Sequence, residues 1–271
     1  MTQAMAAQGR FSGWWTATVL AAALGALGGC ATQQQQAQDV VTAGEDSDAR
    51  RRARIRLELA SNYYADGKTE IALEELRQVI ATDPTFPDAY NLRALIYMAL
   101  GDNVQAEDSF RRVLALNPRD PDAHHNYGWL QCQQARYPEA QVSFQRALGI
   151  PIYAGRSKTL MAMGLCQARA GQLAEAEQTL ARSYELDAAN PITGYNLTRL
   201  LYQRGDFQRA QFYIRRLNNS ELANAETLWL GIRVERRMGD PAAMGQLSEQ
   251  LRKRFPQSRE RGALDRGAFD E

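Results

Sequence analysis

Three cysteines and two histidines carry most of the chemistry open to this chain. His124, His125, Cys132 and Cys166 offer the four ligand types of a zinc site, but zinc needs them to converge tetrahedrally. Neighbouring residues of a helix point to different faces, so these four do not suit a metal. The same geometry disfavours a cysteine-histidine nucleophile pair. No Gly-rich phosphate loop, His-Glu-x-x-His run or nucleophile elbow is present in the sequence. We therefore expect no enzyme activity, no metal and no other cofactor. Two cysteine chemistries remain: a bridge between Cys132 and Cys166, and modification of Cys30.

Cys30 ends a distinctive leader. Residues 1 to 13 hold one charge, Arg10, and Trp14 to Leu27 is an apolar run closed by Gly28 and Gly29. This is the layout of a secretory signal, and the run falls short of the roughly twenty residues that span a bilayer. Leu27-Gly28-Gly29-Cys30 resembles the bacterial lipobox, whose peptidase cuts before the cysteine and leaves it acylated. The other reading is a plain signal peptide with an incidental cysteine. The lipobox resemblance implies a leader over 1–29 and lipid on Cys30. Several acyl chains, each CH₂ worth about 0.8 kcal/mol, would hold the protein on a membrane essentially permanently. Ala31 rather than aspartate follows the cysteine. By resemblance to lipoproteins of diderm bacteria, that implies an outer-membrane anchor facing the periplasm. Residues 30–49 are Gln-rich and lack apolar periodicity, as expected of a tether. Five of the seven residues from Arg50 to Arg56 are arginine. They suit either anionic headgroups or a solvated first helix turn.

The rest of the composition is that of an ordinary globular chain. Of 271 residues, 45% are hydrophobic, and 32 basic residues face 31 acidic ones. With the two signs mixed, the electrostatic footprint of a nucleic-acid binder is missing. The composition also fits neither a disordered chain nor a disulfide-stapled miniprotein.

A repeat supplies the elements. Turn residues Gly67, Gly101, Ala135, Gly171, Gly205 and Gly239 are spaced by 34, 34, 36, 34 and 34 residues. Alanine follows five positions later at Ala72, Ala106, Ala140, Ala176 and Ala210, with Met244 in the last slot. Apolar residues recur at helical spacing on both sides of each turn. Pro84, Pro118 and Pro256 stand where helices should stop. Ala60, Ala94, Gly128 and Gly164 in the first helices let paired backbones approach closely. This pattern resembles the tetratricopeptide repeat, covering residues 50–258 as six helix-turn-helix units at about 53–86, 87–120, 121–154, 157–190, 191–224 and 225–258. The resemblance implies an all-α, right-handed superhelical solenoid. The two extra residues within 149–156 leave room for an altered angle or a hinge between the third and fourth units. Residues 259–271 should form a polar helix or a frayed tail, and Ile232 and Met244 in place of small residues suggest a capping last unit.

In such a stack the first helices line the concave side. The groove candidates are Leu57, Tyr64, Asn91, Leu95, Met98, His125, Trp129, Met161, Leu165, Tyr195, Arg199 and Tyr202. An aromatic and Met-lined concavity suits an amphipathic partner segment, although Leu95, Met98 and Leu165 are equally readable as packing between first helices. Arg199, Arg233 and Arg236 make the far end basic, which reads either as part of the binding surface or as a solvated face. The lysine and asparagine pair with which some tetratricopeptide domains clamp a C-terminal carboxylate is not reproduced, so that ligand is not expected. Cys132 and Cys166 fall on neighbouring first helices, so in an oxidising compartment they either bridge or remain buried thiols.

Lipobox, tether and six units together resemble the pilotin lipoproteins of type IV pilus biogenesis. The residues that carry this are the Cys132 and Cys166 spacing, the run from Asn117 to Gly128 and the incomplete-looking last unit. The resemblance implies a monomeric, membrane-anchored protein that binds outer-membrane secretin subunits and promotes their assembly. A scaffold for cell-wall synthases or hydrolases is the alternative.

Overall fold

The computed structural model describes residues 47–269. The leader, the lipobox and most of the tether lie outside these residues. The described chain folds as six helix pairs and one short helix: α1 Asp48–Ala65 with α2 Thr69–Thr82, α3 Pro87–Leu100 with α4 Asn103–Leu116, α5 Pro121–Gln133 with α6 Tyr137–Leu148, α7 Arg156–Arg169 with α8 Leu173–Leu186, α9 Pro191–Arg204 with α10 Phe207–Asn218, α11 Ala225–Met238 with α12 Pro241–Arg254, then α13 Arg259–Asp265.

Local sequence explains where these helices start and stop. Proline occupies the first turn of α3, α5 and α9, where its missing N–H costs nothing. Asp120, Asn190 and Asp240 cap α5, α9 and α12 by accepting backbone N–H bonds. Pro84, Pro118 and Pro256 each follow a helix end by two residues. Between paired helices the chain turns through a left-handed residue. Gly101 adopts φ 76°, with Asp102 N–H bonding Tyr97 C=O. Ala135 holds the equivalent position at φ 58°, among the described residues the one non-glycine with positive φ.

Close helix approach depends on the small residues. A Cβ on Gly128 would sit 2.9 Å from the Phe144 ring, and one on Gly164 would sit 2.7 Å from Leu180 Cγ. In the last unit Ile232 takes that position and is fully buried, while the neighbouring Gly231 provides the close approach to Asn218 and Leu247. The core is a file of local clusters, each shared by neighbouring helices, such as Ala94, Ala106, Phe110 and Leu130. This is how a stacked array stabilises itself. First helices of successive units also touch, α1 with α3 through α9 with α11. They therefore form one continuous wall.

The amino end departs from the expected boundary, and at the carboxyl end the polar helix rather than the frayed tail is found. α1 begins at Asp48, inside the expected tether, because Ser47 caps it and Arg50 pairs with Asp83 and stacks 4.7 Å over Phe86. Beyond the sixth unit, the described part of the expected tail is a packed element. α13 buries Leu264, and Phe269 stacks on Trp229 at 5.4 Å.

Candidate functional site

The first-helix wall is the surface on which twelve groove residues were expected. Leu57 and Tyr64 on α1, Leu95 and Met98 on α3, Trp129 on α5, Met161 and Leu165 on α7, and Tyr195 and Tyr202 on α9 are all partly buried. Leu57 and Tyr64 rest on the first-unit core, and Leu95 and Met98 on that around Phe110. These side chains thus serve both readings, anchored at one edge in the stack and open at the other. Asn91 is partly buried, with its Oδ1 enclosed and without a hydrogen-bond partner. Arg199 is exposed.

His125 departs from that expectation. It is only 5% exposed, because the two residues added between the third and fourth units bring a polar cluster over it. Its Nδ1 lies 2.9 Å from Thr159 Oγ1, and the Tyr153 hydroxyl lies 3.0 Å from the same oxygen. Burial, reinforced by the nearby Lys158 charge, lowers the His125 pKa to about 4. Burial likewise pushes Tyr153 up to about 12. Tyr153 also bonds Asp122 at 3.2 Å, and Arg156 donates to Leu148 C=O at 2.7 Å. The longer spacing is therefore filled and latched at these contacts. Sequence periodicity exposed the insertion but carried no sign of what fills it.

Beside this cluster, Cys132 and Cys166 form a disulfide that joins α5 to α7, with Cα atoms 5.8 Å apart. Both are buried.

The wall changes character along its length. Arg169 stacks over Trp129 at 4.9 Å, and Arg233 over Tyr202 at 4.9 Å, so these rings present guanidinium groups as well as apolar faces. At the far end, α9, α11 and the α13 segment enclose a hollow of about 900 Å³, lined by Tyr195, Arg199, Tyr202, Trp229, Arg233 and further arginines. Sequence reasoning had Tyr195, Arg199 and Tyr202 as groove residues and Arg233 as part of a basic far end, but not Trp229. It allowed a polar helix at α13 but gave no sign that this segment packs back to form one side of the hollow.

Stacked helix hairpins, left-handed turn residues and a wall of first helices define a tetratricopeptide-repeat protein, a class built for binding other chains. Tetratricopeptide repeat family models match residues 57–121 and 97–150. The chain is related to type IV pilus assembly proteins. It is 28% identical over 234 residues to the type IV pilus assembly protein PilF of Pseudomonas aeruginosa, covering 86% of this chain and 91% of that one. Two pilus proteins are among the solved structures that share the fold. The crystal structure of PilW, described as a widely conserved type IV pilus biogenesis factor, superposes with a TM-score of 0.70 at 28% identity, over 78% of this chain and 97% of that one. Pseudomonas aeruginosa PilF does so with a TM-score of 0.73 at 25% identity, over 82% and 100%.

Proposed function

We propose that this protein is a pilotin: a lipid-anchored outer-membrane protein that captures secretin subunits on its first-helix wall and promotes their assembly for type IV pilus biogenesis. The observation that carries this reading is the likeness to the pilus assembly protein PilF, which extends over 86% of the chain and 91% of that protein. The wall supplies a physical means. Leu57, Tyr64, Leu95, Met98, Trp129 and Leu165 are partly buried along successive first helices, which gives an amphipathic segment an apolar track with fixed spacing. Because Leu57, Tyr64, Leu95, Met98 and Trp129 are already packed against core clusters, little side-chain freedom is lost on binding. Lipid on Cys30 would then direct the pair to the membrane.

The test is co-purification of secretin from detergent extracts of cells carrying Leu95→Glu with Trp129→Glu. Capture should be lost while helical content stays. Retained capture would refute the wall assignment, and recovery of cell-wall enzymes in place of secretin would refute the pilotin reading. Cys30→Ala should release the protein into the soluble periplasmic fraction; undiminished membrane association would refute the lipid anchor.

A further inference from the structure

We propose that the hollow between α9, α11 and α13 is a second binding site, which takes an acidic polypeptide segment. This goes beyond the apolar track of the first four units, and it rests on charges and rings that secretin capture there does not use. Arg199, Arg233, Arg259 and Arg266 all line the hollow. Among the described residues none of these four makes an ion pair, whereas neighbouring Arg204 is tied to Glu177 at 2.7 Å and Asp206 at 3.1 Å. The Arg233 Nε is enclosed without a hydrogen-bond partner, and its guanidinium is held 4.9 Å over the Tyr202 ring. A guanidinium held in place with no carboxylate partner favours an incoming anion at its outer N–H groups.

The lining also selects the kind of anion. Guanidinium forks match carboxylate and phosphate alike, but Glu226 and Glu260 line the same hollow. They can accept N–H bonds from a peptide backbone, which a phosphate group does not carry. Tyr202 and Trp229 add flat apolar surface for the side chains between carboxylates. At about 900 Å³ the hollow is at the large end of ligand sites, roomy for a lone headgroup and suited to several residues of a chain. Arginine clusters reading acidic motifs are a recurrent mode of peptide recognition.

The experiment measures fluorescence anisotropy with the full chain in nonionic detergent. The probe is a fluorescein-labelled decapeptide of aspartate and glutamate with one phenylalanine, and the control replaces every acid by its amide. The acidic peptide should bind, and its affinity should fall as salt rises. The amide control should bind at least tenfold more weakly. Arg199→Gln with Arg266→Gln, both exposed residues, should weaken the acidic peptide at least tenfold without changing helical content. Arg233→Lys keeps the charge but loses the planar stack, and it should weaken binding several-fold. Equal binding of the amide peptide, or insensitivity to all these substitutions, would overturn the proposal. So would glycerol phosphate binding as tightly as the peptide, which would reassign the hollow to a lipid headgroup.

Discussion

His125 Nδ1 and Thr159 Oγ1 sit 2.9 Å apart and join α5 to α7 across the one junction where the repeat spacing is longer. A neutral imidazole is needed there, since the ring is buried and its pKa is lowered from 6.5 to about 4. The folded state therefore binds a proton less readily than the unfolded chain. Its contribution is fully present above the unfolded pKa of 6.5 and is lost as pH falls towards the folded value near 4. At pH 5 the loss is about 2 kcal/mol, from 1.36 kcal/mol per pKa unit. Chemical denaturation at pH 7 and pH 5 should show this fall in the wild type and a much smaller one in His125→Gln. Equal pH dependence in both proteins would show that another group is responsible.

The disulfide between Cys132 and Cys166 crosses the same α5 and α7 pair. With a sequence separation of 34, chain entropy predicts stabilisation of about 3 to 4 kcal/mol. In a repeat array that effect should be local. Reduction, or Cys132→Ala with Cys166→Ala, should speed amide exchange in α5 to α8 and leave α1 and α2 unchanged. Exchange that rises evenly along the chain would mean that the array unfolds as one unit.

The turn residues and small residues made the architecture legible, because each has a direct steric job. Gly101 is read from sequence because it must take a positive φ, and Gly164 because it faces a neighbouring helix. Position within the repeat was weaker guidance for the wall. It placed Trp129 and Leu95 on the first-helix face, where they are partly buried, but put His125 there too, which Tyr153 and Thr159 instead enclose. That enclosure comes from residues 28 and 34 positions away, outside the reach of a local period. The hollow at the far end was half visible. Arg199 and Tyr202 follow from the repeat, whereas Arg259 and Arg266 come from α13 and its C-cap, outside it.

Gly164 and Leu180 provide the most direct test of the packing that holds the wall together. A Cβ on Gly164 would lie 2.7 Å from Leu180 Cγ and 3.3 Å from Ala176 C=O. Leu180 is fully buried and has little room to yield. Gly164→Ala should therefore overpack the α7 and α8 contact and cost about 1 to 3 kcal/mol, although alanine is the better helix former by about 1 kcal/mol. Leu180→Ala alone should cost about 2 to 5 kcal/mol through its cavity. Combined, the two should cost less than their sum, since the new methyl group enters the space that the leucine vacates. Urea unfolding of the four proteins gives the coupling energy. A strictly additive double variant would mean that the Gly164 backbone does not set the spacing of these helices, and that the wall is held by the side chains between units instead.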